Sequence, residues 1–423
     1  MSNKPSLLVY SDCYIYGGSE RLMSFLIRNP LILEEYRITF AYRKHKDYET
    51  GINNDLNDQE KIEFLRPVRI ISNATLFYKI NLKGYPVIFK KIIKIPFFLL
   101  DKIGVYFIFN IISHVNTLQK VSPDIIHINN GGYPAARSCN TMVVAAKILG
   151  FKNIIYQINN VAQKRTCVFN LLYDRFINGS VSCFITASQQ AKDKLVKERK
   201  FSTYKIKHLP NTVQEEFPTL SRNELFTELA IKQNDFVLCT VAFLSKRKGQ
   251  QFLLEALYKV SINHFDIFDK IQLIIVGNGE EEKNLKQYVK EYKLGEHVLF
   301  VGYQKKSIDF ISACDVFILP SITNEDMPLV VLTAMSKGKT IISTDFAGIR
   351  EQIENGISGI LISNNTDTIA NELASKIIYL YKNRNNLLGE EAKIRYNALF
   401  STQVYGHSIV KLYNSIIEKN GVK

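Results

Sequence analysis

The sequence predicts an α/β protein built as two doubly wound, parallel-sheet domains. Short runs rich in Val, Ile and Phe alternate with helix-length patterned segments, the rhythm of βαβ units and parallel sheets. Eleven such runs fall in two series, too many for one comfortable sheet. The chain has 423 residues, 46% apolar and 22% charged, which suits two to three domains of about 150 residues each. Disorder, collagen and a disulfide-stapled mini-protein are ruled out.

The first series of candidate strands is Ser6–Tyr10, Ile38–Ala41, Asp124–Ile128, Asn153–Gln157 and Cys183–Ala187. The second is Phe236–Ala242, Ile271–Val276, His297–Val301, Val316–Pro320, Thr340–Ser343 and Gly359–Ile362. Helical patterns such as Gln250–Val260, Glu281–Tyr292 and Leu329–Lys337 lie between them. Pro210, Asn211 and Pro218 interrupt the rhythm near 209–218, which divides the chain into 1–212 and 213–423, with the last helix expected to pack back on the N-terminal domain. Charge changes close by: residues 1–210 hold 30 basic and 15 acidic side chains, a net of +15, and the remainder nets −1. One half is a cation and the other is neutral, as expected where one half faces an anionic surface.

Three strand-to-helix loops carry candidate chemistry. Gly17-Gly18-Ser19-Glu20 follows the first strand; glycines there let a ligand approach the backbone, and the helix start favours an anion. The bland reading is that the glycines only make the turn. Ser245-Lys246-Arg247-Lys248-Gly249 places three cations at a helix start, unfavourable for the macrodipole unless an anion sits there. In 320–328, Asp326 reads as an N-cap and Pro328 fixes helix entry, while Glu325 lies just outside the helix and is free to face the crevice. The ligand is expected in a cleft between the strand ends of the two domains.

The stretch Thr240–Ile362 resembles the C-terminal domain of the retaining family 4 glycosyltransferases, which have the GT-B fold. The resemblance runs through Lys248-Gly249, Ile275-Val276-Gly277-Asn278-Gly279, Val298–Gly302, Ala313–Phe317, Pro320-Ser321, Ala334–Lys339 and Asn355–Gly359. Gly17–Arg21, Asp124–His127 and Leu209–Val213 fall where that family has comparable segments. It implies a nucleotide diphosphate sugar, UDP or GDP in the first place, bound mainly by the C-terminal domain, with an acceptor on the N-terminal domain. It implies neither a metal nor a further cofactor. By the resemblance, Lys248 and Arg247 neutralise the pyrophosphate, the backbone amides of Leu329 and Val330 add to this, and Glu325 positions the sugar. Gly17, Gly18 and Gly277 line the donor site.

Three positions depart from the family pattern. Thr333 stands where a second Glu usually grips the ribose, Phe243 where many members carry an Arg, and Asn129 where many place a His by the donor sugar. Losing a charge-assisted bond at Thr333 costs about 1.5–3 kcal/mol. The resemblance implies an active transferase that adds a hexose to a lipid-linked glycan in bacterial surface-polysaccharide assembly. A non-catalytic relative acting as an assembly subunit is the alternative, and an epimerase on the same fold a third. His127 alternates with Ile126 and Ile128, which puts it in or under the sheet.

Residues 85–112 mix Lys90, Lys91 and Lys94 with Phe89, Ile92, Phe97 and Phe98. Residues 61–210 hold 23 basic against 6 acidic side chains. Two readings stand: an amphipathic contact with an anionic membrane surface, or core helices whose lysines snorkel at the edge. The family's lipid-linked acceptors favour the first. No apolar run reaches the roughly 20 residues of a spanning helix, and the polar stretch 1–5 lacks a signal peptide's apolar core. Six cysteines without CxxC spacing read as reduced thiols with no zinc site. No nucleic-acid reading element accompanies the charge. The expected location is cytoplasmic, with peripheral contact at the inner face of the cytoplasmic membrane; oligomeric state leaves no trace.

Overall fold

The computed structural model describes residues 4–13, 16–57, 60, 64–81, 83–165, 169–323 and 325–421. The chain divides into two compact units, Met1–Leu209 with Tyr405–Lys423, and Pro210–Val404. Each is built around one wholly parallel sheet.

The first unit carries strands β1 (Ser6–Ser11), β2 (Arg37–Arg43), β3 (Leu65–Val68), β4 (Ile125–Asn130), β5 (Ile154–Ile158), β6 (Cys183–Thr186) and β7 (Ile206–His208). Their order is β3-β2-β1-β4-β5-β6-β7, so the winding reverses between β1 and β4. Buried on both faces, these strands read as near-continuous apolar runs rather than alternating ones. Leu8, Ile126, Ile128, Tyr156 and Phe184 form the core with Met142 and Val143 from the helix Arg137–Ile148. The second unit holds β8 (Phe236–Val241), β9 (Ile271–Val276), β10 (Val298–Gly302), β11 (Val316–Leu319), β12 (Thr340–Thr344) and β13 (Ile360–Ile362). Their order is β10-β9-β8-β11-β12-β13, and the reversal falls between β8 and β11.

All eleven expected strands are present, and two were missed. β3 contains Pro67, which cannot donate to a ladder and survives only at an edge; β7 has three residues, two of them exposed. Both are the outer strands of their sheet.

The helices that matter below are α1 (Gly18–Ile27), α2 (Asn73–Asn81), α3 (Val87–Lys102), α4 (Val105–Val121), α5 (Gln250–Asn263) and α6 (Leu329–Ser336). α5 buries Leu253, Leu254, Leu257 and Val260 at helical spacing against Leu238, Leu273 and Ile275 of the sheet. The C-terminal helix Thr402–Asn420 adds its end to the first unit. Tyr413 donates its hydroxyl to His127 Nδ1 at 2.6 Å, and Asn153 Nδ2 donates to the Gly421 carbonyl at 3.0 Å.

The core reading of residues 85–112 fails for α3 and holds along only one face of α4. No residue of α3 is buried, and α4 buries Tyr106, Asn110, His114, Thr117 and Leu118 while its other faces stay open. Cys167 and Asn324 lie outside the described residues; no disulfide joins the cysteines within them.

Candidate active site

In an open α/β sheet, ligands bind beyond the carboxyl ends of the strands at the point where the strand order reverses. In the second unit that point is the pair β8 and β11, and the loops following both strands meet there. The Ile322 amide donates to the Arg247 carbonyl at 2.9 Å. Gly249 has φ +71°, and a Cβ on it would stand 2.0 Å from the Pro320 carbonyl oxygen. The loop after β9 closes on the same place. Leu244 N donates to Asn278 O at 2.8 Å, and Gly277, at φ +132°, would put a Cβ 2.0 Å from Ala242 O. Glycine at these two positions is therefore a requirement of close backbone approach and of the left-handed backbone.

Within this frame Lys248 and Glu325 form an ion pair, and Arg247 Nη1 donates to the same Glu325 oxygen at 2.5 Å. The Lys248 and Glu325 side chains are only 11% and 8% exposed, whereas Arg247 is 40% exposed. Burial pushes the Lys248 ammonium below the usual lysine value; Glu325 pulls it back up and Arg247 pushes it down again. Two cations share one carboxylate, so the cluster keeps a net positive charge at a strand end. α6 begins four residues beyond Glu325 with Pro328 as N-cap and no side-chain cap. The amides of Leu329 and Val330 belong to its first turn, where helices leave N–H groups without intrahelical partners.

Several expectations change here. Glu325, expected free to face the crevice, is instead held by two of the cations of 246–248, because three like charges at one turn require an opposite charge nearby. Pro328, not Asp326, is the N-cap; Asp326 is buried at 2% exposure. The Thr333 hydroxyl donates back to the Leu329 carbonyl at 3.1 Å, so its proton is already committed within the helix. Phe243 stands 55% exposed and donates nothing. Ser245 and Ser321 were passed over: their buried hydroxyls lie in the two site loops and find no partner among the described residues. A serine in a loop leaves no signal in the sequence that separates it from any other.

The first unit repeats the arrangement at its own reversal, between β1 and β4. Gly17 N donates to Glu20 Oε2 at 3.1 Å, and Ser19 Oγ donates to Glu20 Oε1 at 2.8 Å. The glycine loop is thus capped by the chain's own Glu20, a helix cap that spacing alone would reveal. Its burial raises the carboxyl pKa. Asn129 is 1% exposed and saturated: Nδ2 donates to Ser11 Oγ at 2.9 Å, and Oδ1 accepts from Asn159 Nδ2 at 2.6 Å. It is enclosed beneath the Gly17–Gly18 loop rather than presented to a sugar, since a buried amide must satisfy both ends. His127 lies under the sheet as expected. Its Nε2–H donates to Gln157 Oε1 at 3.0 Å while Nδ1 accepts from Tyr413, and burial lowers its pKa to about 4, which keeps it neutral. Among the described residues no cluster of His, Cys, Asp and Glu has the makings of a metal site.

The family model for "Glycosyl transferases group 1" matches residues 221–399. The UDP-Gal:alpha-D-GlcNAc-diphosphoundecaprenol alpha-1,3-galactosyltransferase of Escherichia coli is 29% identical over 275 residues, 62% of this chain and 69% of that protein. The phosphatidyl-myo-inositol mannosyltransferase of Mycobacterium leprae is 30% identical over 188 residues, 42% of this chain; the chain spans 46% of that relative. The Anabaena HepE structure in complex with UDP superposes with a TM-score of 0.72 at 17% identity, over 97% of this chain and all of that one. The two Rossmann-like units have the GT-B fold of that solved structure, and the matched domain with these relatives makes the chain a nucleotide-sugar glycosyltransferase.

Proposed function

We propose that this enzyme transfers a hexose from a nucleotide diphosphate sugar to a lipid-linked glycan in bacterial surface-polysaccharide assembly. Retention at the anomeric carbon and a site of action at the inner face of the cytoplasmic membrane belong to this reading. The observation that carries it is the Lys248–Glu325–Arg247 cluster, a net cation at the β8–β11 reversal. The bond from the anomeric carbon to the diphosphate breaks with its electron pair on the diphosphate, while the acceptor hydroxyl forms the new bond and gives its proton to the departing diphosphate. Lys248 and Arg247 meet the charge that develops on the leaving group, with the Leu329 and Val330 amides beside them. Glu325, released from part of its pairing by the incoming phosphates, is left to orient the sugar. Gly277 keeps the neighbouring loop close, and Gly17 and Gly18 do so on the acceptor side. Thr333 retains acceptor capacity for a ribose hydroxyl. No cofactor beyond the donor enters this reading.

The galactosyltransferase relative takes UDP-Gal and a diphosphoundecaprenol-linked sugar, and the Anabaena structure holds UDP, so UDP is the first donor base and GDP the second. A groove of about 210 Å³ lined by Lys44, Arg69 and Lys79, where α2 begins, supports an acceptor that carries phosphate.

A thermal-shift panel of UDP, GDP, ADP, CMP and dTDP tests the donor side. A ligand at a hundred times its dissociation constant adds about 2.7 kcal/mol, several degrees for a unit of about 200 residues. The expected result is a shift with UDP or GDP that Lys248→Ala abolishes. A shift that survives in Lys248→Ala removes Lys248 from the site.

A further inference from the structure

We propose that α3 and α4 form a monotopic hairpin that seats its apolar face among the acyl chains of one leaflet of an anionic bilayer. The pair is amphipathic inside out. α4 turns Asn110, His114 and Thr117 inward at helical spacing, where Asn110 brackets the Ile71 peptide with bonds of 2.9 and 3.0 Å. α3 turns Lys90 and Lys94 toward α2, bonded to Asn81 at 2.9 and 2.7 Å, and Asp101 toward Asn73. The faces left outside are the apolar ones. Of the large apolar side chains exposed on the described chain, fifteen of thirty fall between residues 85 and 112. Ile88, Ile92, Phe98, Ile103, Ile108 and Ile112 are each more than half exposed. α4 hides a polar stripe, and α3, with no buried residue, leaves its apolar side chains open to the surroundings; exposed apolar faces of this extent suit a nonpolar surrounding.

Charge and topology identify that surrounding. Lys79, Lys83, Lys91 and Lys102 flank the apolar face and are exposed, the distribution that anionic headgroups attract. The helices have 16 and 17 residues, about 24–26 Å each against a hydrocarbon core of about 30 Å, and they meet at a bend of 63°. α2 leads in from β3 and α4 leads out to β4, strands of one sheet, so the segment enters and leaves on the same side. It dips in and does not cross. This inference stands on the hairpin alone and holds whatever donor the second unit binds.

The chain has no tryptophan, so Phe98→Trp is a reporter without background. Vesicles of phosphatidylcholine with about a quarter phosphatidylglycerol, with and without brominated acyl chains, supply the probe. The expected result is a blue shift on adding vesicles and quenching by the bromines. Both should persist in about 1 M sodium chloride, where charges are screened beyond about 3 Å. Tyr204→Trp, 78% exposed beside the opposite sheet edge, should stay unquenched. The triple variant Ile92→Ser, Phe98→Ser, Ile108→Ser should keep its melting temperature and lower the bound fraction at high salt by about tenfold or more. Three results overturn the proposal: no vesicle binding, binding that high salt abolishes with the emission of Phe98→Trp still solvent-like, or a blue shift without lipid that disappears on dilution as a dimer dissociates.

Discussion

Lys248 carries two pH dependences of opposite sign. In the proposed mechanism catalysis needs its ammonium, and burial has lowered the pKa, so the alkaline limb of kcat/KM should begin below pH 10.5. Between that lowered value and 10.5 the unfolded chain holds more protons than the folded one, so stability rises with pH while activity falls. A pH–rate profile of Lys248→Arg, whose charge persists, should lose this limb; an unchanged limb would detach it from Lys248. His127 and His114 act at the other end of the scale. Burial brings both to about 4, so stability present above pH 6.5 drains away as the pH falls toward 4. The loss is up to about 3 kcal/mol for each ring. Urea midpoints at pH 7 and pH 4.5 should differ less in His127→Gln than in the parent protein. Residue types showed where charge would gather, at 246–248 and at Glu325, but not that the two would neutralise one another. That pairing depends on β8 and β11 being neighbours although 74 residues separate the end of β8 from the start of β11. Asn129 illustrates the reverse case: its place on a strand end was legible, and its enclosure by Ser11, Ser19 and Asn159 was not.

Elements were most legible where both faces of a strand are buried, because apolar continuity is then unbroken. β3 and β7 escaped because an edge strand is asked for less, and Pro67 even argues against one. The site loops depend on two glycines in a way that mutation can expose. Gly277→Ala and Gly249→Ala should each cost about 1–2 kcal/mol in the left-handed backbone alone. Clashes with Ala242 O and Pro320 O add to that, and nucleotide binding should weaken in proportion. Gly295→Ala, which meets nothing within 4 Å, should leave the denaturation midpoint in place. Equal midpoints for all three variants would refute the account of loop closure. The segment 85–112 shows the limit of pattern reading. Apolar periodicity announces a helix with a greasy face, yet only the three-dimensional placement of Asn110 and His114 says which way that face looks.

Across the whole molecule, the surplus of cations in the first half belongs to the unit that carries the hairpin, and the near-neutral second half belongs to the unit that carries the Lys248 cluster. The GT-B class was legible because motif after motif along residues 240–362 appears in order, and order is harder to produce by chance than any single glycine loop. The division of the chain was legible at Pro210, and so was the return of the last helix to the first domain; its docking points were not, since nothing in 405–423 looks different from any amphipathic helix. That return has a consequence for synthesis. The first unit emerges from the ribosome first, yet its sheet lacks Tyr413 over His127, and Asn153 lacks the Gly421 carbonyl, until the last stretch has been made. At about 5–20 residues per second, that interval lasts roughly 10–40 s. Throughout it the nascent chain carries a greasy hairpin and an unfinished sheet, so the unit translated first is the one completed last.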